Sequence, residues 1–356
     1  MLTAETISSH DEWNRLLLAL PTQHILQSWE WGAFKTSTGW EPNRLVFKRA
    51  HEIVGAISIG VRRVGPFSLI YASKGPLLDY EDVDLFVEVI QWLEGFAKKH
   101  RAIWLKIDPD VVEGYGVPHE ADASENPSGQ RIIQALQQRR WVYSNDQVQF
   151  KNTVIIDLQQ SEDEILASMS QNTRRKVRLA DRDGITIHEG GVEDIDLLYS
   201  LYQVTAQRDG FLIRPKSYYE QEWRDLFQAN MAMAFIAKFE GQPIAHVILY
   251  VFGQKCLYFT GASSNEHRDK MPNYRLQWEA IRWAKARGCQ SYDMWGAPTE
   301  FVETDALWGV FQFKRGFRGT VVRYIGAWDY APSSLLYRLY TEFAPRLMSW
   351  LRNRRT

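Results

Sequence analysis

The feature that most constrains the fold is a faint internal repeat. Leu45 to Val61 reads as strand, polar turn, strand, and Ala234 to Val251 reads the same way. A further strand-like segment follows in each half, Leu69 to Ala72 and Cys256 to Thr260. An amphipathic helix comes next, Leu85 to Lys99 and Leu276 to Arg287, each with a central Trp, Trp92 and Trp283. Each half then closes on a strand running into an acid, Ile103 to Asp108 and Ser291 to Asp293. Lys48 and Lys238 are 190 positions apart, Ala56 and Ala245 189, Trp92 and Trp283 191, and Asp108 and Asp293 185. Four similar offsets in one order predict duplication of a single mixed α/β unit. Coincidence of common supersecondary patterns is the competing reading.

Two units suit a chain of 356 residues at ~100–200 residues per domain. The polar stretch His119 to Gly129 places the boundary between 120 and 160. The expected division is 1–150, 151–320, and a tail at 321–356 made of a strand and a basic amphipathic helix. Glu162 to Ala180 reads as one or two helices, with an interruption at Gln171-Asn172. Lys plus Arg is 42 against 43 Asp plus Glu, so the whole chain lacks the basic character of a dedicated nucleic-acid binder. Two cysteines make neither a disulfide framework nor a four-ligand zinc site, and reduced thiols in a cytoplasm are expected. The N-terminus shows no signal-peptide pattern, and the longest apolar runs fall well short of the ~20 residues of a spanning helix.

No HExxH, paired CxxC, GxSxG or GxxxxGK[ST] motif is present. His246, inside a predicted strand, reads as a satisfied core histidine rather than a ligand. The order strand, turn, strand, helix, strand resembles an acyltransferase of the GNAT type. In that fold a glycine-rich turn opens the central helix and cradles the CoA pyrophosphate. The corresponding turns here, Ala72 to Leu78 and Gly261 to Tyr274, lack the spaced glycines. An acyl donor other than acyl-CoA is therefore expected.

Seven ordered motifs carry a more specific resemblance. They are Gln27-Ser-Trp-Glu-Trp-Gly-Ala-Phe-Lys35 with Gly39-Trp40, Asn172-Thr-Arg-Arg-Lys-Val-Arg-Leu-Ala180, and Arg208-Asp-Gly-Phe-Leu-Ile-Arg214 with Tyr218. Tyr258-Phe-Thr-Gly-Ala-Ser-Ser264, Met271-Pro-Asn-Tyr274, Tyr292-Asp-Met-Trp-Gly296 and Phe311-Gln-Phe-Lys-Arg-Gly-Phe317 complete the set. Over nearly its whole length the chain resembles the Fem family (FemABX-like) of peptidyltransferases, which add amino acids from aminoacyl-tRNA to peptidoglycan precursors. The resemblance implies an α/β fold of two tandem GNAT-like domains with a cleft between them, and a chain end that returns to the first domain. No long heptad segment is present, so the helical hairpin of some members is not expected. The acceptor implied is UDP-MurNAc-pentapeptide or a lipid-linked precursor, and the protein is expected to be a monomer.

The resemblance also implies roles for single residues. Lys35 matches a lysine at the phosphates or sugar of the precursor. Arg214 and Tyr218 match a pair on its diphosphate, where an Arg fork supplies bidentate contacts. Tyr258 matches another precursor-contacting residue. Lys314, beside Phe313, matches the lysine at the reacting acyl group, and Asp108 an acid near the acceptor amine. Each has a structural alternative: a solvated charge, a core tyrosine, or a strand-end cap. Attack of an amine on an activated ester needs a deprotonated amine, aligned groups and a stabilised oxyanion. No metal, cofactor or covalent enzyme intermediate is required. Lys314 is expected on a strand, with Phe311 and Phe313 buried and the cation pointing the other way.

Two basic features remain. Arg174, Arg175, Lys176 and Arg178 read either as tRNA phosphate ligands or as a solvated helix face. The tail carries Arg338, Arg346, Arg352, Arg354 and Arg355 against Glu342, interleaved with Leu and Trp. It reads either as a helix lying on the inner membrane face or as one docked on the first domain. The rival functions are a GNAT-like N-acyltransferase with another donor and a polysaccharide or lipid substrate, and a non-catalytic binding protein.

Overall fold

The protein is described by a computed structural model covering residues 2–343. The chain forms two units. One comprises the residues up to Gly114, Glu125–Lys151 and the chain from Tyr324 onward; the other comprises Tyr115–Ser124 and Asn152–Arg323. Residues 115–124, expected in the first domain, therefore belong with the second unit.

The first unit is built on a sheet whose strands run, in spatial order, Leu2–Thr6, Glu41–Arg49, Glu52–Val64, Phe67–Ala72, Ala102–Ile107, Trp328–Tyr330 and Val142–Tyr143. The short strand Leu77–Leu78 pairs beside Glu52–Val64. Neighbours are antiparallel except Phe67–Ala72 and Ala102–Ile107, which are parallel. A parallel pair needs a crossover, and the helix Val83–Lys99 supplies it. That helix starts where Asp82 accepts the N–H of Leu85 at 2.8 Å. Lys98 and Lys99 in its last turn suit the negative end of its dipole. Its Leu85, Phe86, Val89, Ile90, Leu93 and Ala97 are buried on the sheet, each large side chain contributing ~1.5–3 kcal/mol.

The second sheet repeats this plan. Its order is Thr186–Gly190, Ala232–Phe239, Gln242–Phe252, Lys255–Ser263, Ser291–Asp293, Asn152–Asp157 and Thr320–Tyr324, with short strands Val112–Tyr115 and Ser124–Glu125 beyond. Again only the fourth and fifth strands, Lys255–Ser263 and Ser291–Asp293, are parallel among the seven, joined through the helix Pro272–Ala286. The correspondence extends to an irregularity. The register of the second and third strands slips between Phe47 and Lys48 in the first sheet, and between Ala237 and Lys238 in the second. The bulge thus sits at the same place in both copies.

Helices Glu162–Ser168 and Gln171–Arg182 are separate, with the break at Met169-Ser170 rather than at Gln171-Asn172. Each is opened by a serine cap, Ser161 and Ser170. His246 is fully buried, but the expectation of a satisfied histidine fails: neither ring nitrogen has a hydrogen-bond partner. Burial pushes its pKa down to about 3, so the ring stays neutral. Among the described residues no helix is long and apolar enough to cross a membrane. The tail begins as the helix Ser334–Arg338, with Leu335 and Leu339 exposed. Arg346, Arg352, Arg354 and Arg355, on which the basic reading of the tail rests, lie outside the described residues.

Candidate active site

Lys314 lies on a helix, Trp308–Arg315, not on a strand. The buried positions Phe311 and Lys314 are three apart, which is the helical spacing. Phe313 flanks the core from the side, 4.9 Å from the Tyr274 ring. The two aromatics that suggested alternation are therefore spread across one broad buried arc. Lys314 is 4% exposed, and its Nζ donates to the carbonyls of Trp295 at 2.5 Å and Gly296 at 2.7 Å. Those carbonyls belong to a turn after Ser291–Asp293 in which Trp295 adopts a left-handed φ of 55°. Asp293, fully buried, holds that turn: its Oδ1 accepts the N–H of Trp295 at 2.8 Å and the hydroxyl of Thr153. Lys255 Nζ stands 3.3 Å from the other oxygen. Burial pushes the Lys314 pKa down to about 7, with Asp293 opposing.

The Tyr258 ring lies 5.6 Å from Lys314 Nζ. A slip in pairing between Ile248 and Leu249 accompanies its strand position, and the phenol folds over Gly261. A Cβ there would fall 1.9 Å from the Tyr258 hydroxyl, so the glycine is required by close approach. Burial pushes the phenol up to about 12. Tyr202 packs edge-on against Tyr219, ring centroids 5.4 Å apart, and burial pushes its phenol up.

Arg214 precedes the helix Lys216–Gln228, and its guanidinium sits 4.9 Å over the Tyr218 ring. Pro215 ends the loop, which places Arg214 and Tyr218 four positions apart at the helix start. The loop is pinned through backbone, not through the guanidinium. Arg214 N–H donates to the Tyr219 hydroxyl at 3.3 Å, and the Tyr199 hydroxyl lies 3.4 Å from the Arg214 carbonyl. Arg214 is exposed, while burial and nearby Glu222 raise the Tyr218 pKa. Tyr218 is therefore a neutral hydrogen-bonding group. Lys314, Phe313, Tyr258, Arg214 and Tyr218 all belong to the second unit.

Lys35 and Asp108 belong to the first. Lys35 lies in the last turn of the helix Trp29–Ser37, its Nζ 4.4 Å over Trp31 and 4.9 Å over Phe34. Asp108 is 2% exposed and both its oxygens are engaged, one by the Tyr71 hydroxyl and one by the N–H of Lys74, each at 2.6 Å. Burial raises its pKa, with Lys74 opposing. Sequence reasoning missed its neighbours Lys74, Asp110 and His24. The signal was there in Ser73-Lys-Gly-Pro76 and Asp108-Pro-Asp110, two turns at the ends of adjacent parallel strands.

The basic cluster divides. Arg174 donates to the carbonyls of Ala167 and Met169, and Lys176 to the Tyr274 hydroxyl at 3.0 Å. Arg175 and Arg178 are exposed, and Arg182 continues their stripe. Among the described residues no three His, Cys, Asp or Glu side chains converge to hold a metal ion.

Two sheets of one topology, each with a helix between its parallel strands, define a tandem GNAT-like fold. A tandem GNAT protein of clavulanic acid biosynthesis shares this fold at a TM-score of 0.57 and 13% identity, covering 94% of this chain and 100% of that one. The sequence model of the FemAB family matches residues 8–240 and 228–344, so the chain belongs to the FemAB family and is an aminoacyltransferase. The crystal structure of FemX covers 94% of this chain and 99% of its own, with a TM-score of 0.81 and 25% identity. Lipid II:glycine glycyltransferases of Staphylococcus haemolyticus (strain JCSC1435) and Staphylococcus aureus (strain MRSA252) are 25% and 26% identical. Both comparisons cover 95% of this chain and 95% of the relative. The alignments run to 409 and 411 positions, longer than this chain, so these relatives hold segments without a counterpart here.

Proposed function

We propose that the protein moves an amino acid from aminoacyl-tRNA to the stem-peptide amine of a lipid-linked peptidoglycan precursor. The observation that carries this reading is Lys314, a buried amine that donates to two carbonyls and lies within the motif Phe311 to Phe317. The names of the glycyltransferase relatives support a lipid-linked acceptor. In the reaction the amine nitrogen bonds to the ester carbon, the ester C–O bond breaks, and the amine proton ends on the departing ribose oxygen. Lys314 faces the oxyanion that develops between these events. Arg214 and Tyr218 hold the acceptor's diphosphate.

The helix N-termini support a donor other than acyl-CoA. In the first unit the anion position is filled by the Asp82 carboxylate, itself 3.0 Å from Arg49. In the second, the helix begins at Pro272, which has no N–H to offer, after Met271 in a left-handed φ of 58°. Incubation with a charged-tRNA pool and the precursor, followed by weighing the product, tests the reading. A mass gain of one or more amino acids is expected; saturable acetyl transfer from acetyl-CoA would overturn it.

The exposed stripe is the tRNA ligand in this reading. Arg175→Ala with Arg178→Ala should weaken tRNA binding and flatten its salt dependence. The slope of log K against log salt should fall by roughly 1–2, at ~0.7–0.9 for each phosphate no longer neutralised. Filter binding at several salt concentrations checks this, with Arg174 unsuitable as a control because it caps a helix end.

A further inference from the structure

The loop that carries Arg214 has an apolar tip with no part in the steps above. Gly210, at a left-handed φ of 73°, ends the helix Ile195–Asp209, and Phe211-Leu-Ile213 follows before Arg214. Phe211 is 40% exposed and Leu212 100%, while Ile213 is half-buried. A single exposed apolar side chain is ordinary. Three consecutive apolar residues at a loop tip, none of them buried, call for a partner. The tip is also held in place. The Phe211 N–H donates to the Ala206 carbonyl at 3.2 Å, and the Phe211 ring lies 5.8 Å from that of Tyr202. At the other end the Arg214 N–H donates to the Tyr219 hydroxyl. Leu212 is thus presented to solvent by a loop anchored on both sides.

Charge decides against an anionic bilayer as the occupant. Arg208 pairs with Asp209 at 2.8 Å, and Lys216 with Asp196 at 2.7 Å and Glu220 at 3.3 Å. The cations Arg208, Arg214 and Lys216 are matched by these acids, so the loop lacks the basic surplus that draws a segment to anionic lipid. Its position favours a smaller target. At most ~7 Å of backbone separates Leu212 from Arg214. In a lipid-linked acceptor the diphosphate passes through one ester oxygen into a hydrocarbon chain, so the chain begins where the phosphates end. The side chains of Phe211, Leu212 and Ile213 carry no hydrogen-bonding group. That suits such a chain and not a nucleoside, whose base and sugar present polar edges that lose water on contact.

We infer that Phe211 and Leu212 bind the first carbons of the acceptor's lipid chain and make the site selective for a lipid-linked over a nucleotide-linked precursor. This inference rests on the reading above that Arg214 holds the acceptor's diphosphate. Apolar burial against the chain adds affinity that the phosphates alone do not supply.

Calorimetry tests it with two soluble diphosphate-linked pentapeptide precursors, one ending in a short prenyl chain and the other in a methyl ester. The wild-type protein should bind the prenyl form at least ~10-fold more tightly, as burial of one Leu side chain implies. Leu212→Ser should bind both forms alike, at the wild-type affinity for the methyl form, and Leu212→Met should keep the preference. Leu212 has no packing to lose, so these variants keep the fold. Equal affinities in the wild type, or an undiminished preference in Leu212→Ser, would overturn the inference. Precursor-free phosphatidylglycerol vesicles give the control: wild type and Leu212→Ser should sediment with them alike. If Leu212→Ser alone stays in solution, the tip reads a bilayer and not the chain, which also overturns the inference. Binding of neither precursor removes the acceptor reading itself, and this inference with it. Binding of both without preference removes the inference and leaves that reading standing.

Discussion

Lys314→Met is expected to lower kcat at least ~100-fold, in line with loss of one oxyanion stabiliser, while the precursor Kd changes little. Its charge acts on an anion that exists only during the reaction, so the effect belongs to the transition state. The same substitution has a second, opposite signature in stability. Burial pushes the ammonium from 10.5 down to about 7, so the unfolded chain holds a proton that the folded chain gives up. Wild-type stability therefore falls as pH drops from about 10.5 to 7, by ~1.4 kcal/mol per pH unit, on the order of 5 kcal/mol across the interval. Met removes this dependence. Against that gain, the Trp295 and Gly296 carbonyls lose their donor at ~1–3 kcal/mol each. Denaturation of both proteins at pH 7 and pH 10 should show the variant improving, relative to the wild type, toward pH 7. Should kcat hold while Kd weakens, Lys314 is a binding residue. Should the stability difference ignore pH, the ammonium is not desolvated as described.

Local signals are legible in this sequence, whereas partners brought together over a distance are not. The repeat was legible because its signals are local: alternation, turns and a helical stripe recur at nearly constant offset. Even the bulge has its trace, since Lys48 and Lys238 mark it in both copies. Lys314 was named from its motif but placed on the wrong element. Phe311 and Phe313 satisfy a two-residue period over too few positions to distinguish it from a helix. Its partners, two carbonyls 18 and 19 residues earlier, follow from the strained turn at Trp295, which no local pattern announces. Lys74 and Asp110 were missed for a related reason. They meet because parallel strands bring their C-terminal ends together, so residues 36 positions apart become neighbours. The basic run 174–178 shows the converse: four cations in sequence become two tethered and two exposed, according to the face of the helix each occupies.

Arg214→Ala is expected to raise the precursor KM by roughly 10- to 150-fold, the equivalent of ~1.5–3 kcal/mol for a charged hydrogen bond, with a smaller effect on kcat. The geometry makes this a clean substitution. The loop Phe211 to Pro215 is pinned by the Arg214 backbone, through the hydroxyls of Tyr219 and Tyr199, so removing the side chain leaves those hydrogen bonds in place. The guanidinium is exposed and stacked on Tyr218, so its loss opens no cavity, and the unfolding temperature should move by little. Arg214→Lys should fall between wild type and Ala, because a lysine restores the charge but not the planar fork that matches two phosphate oxygens. Tyr218→Phe should cost less than Arg214→Ala, since it removes one neutral donor and keeps the ring beneath the cation. The measurement is steady-state transfer at saturating charged tRNA with the precursor varied, alongside direct binding of the precursor. A truncated acceptor lacking the diphosphate adds an internal control: it should bind wild type and Arg214→Ala alike. If Arg214→Ala leaves precursor binding unchanged, or if the truncated acceptor still distinguishes the two proteins, the diphosphate is held elsewhere and the role of this loop must be reassigned.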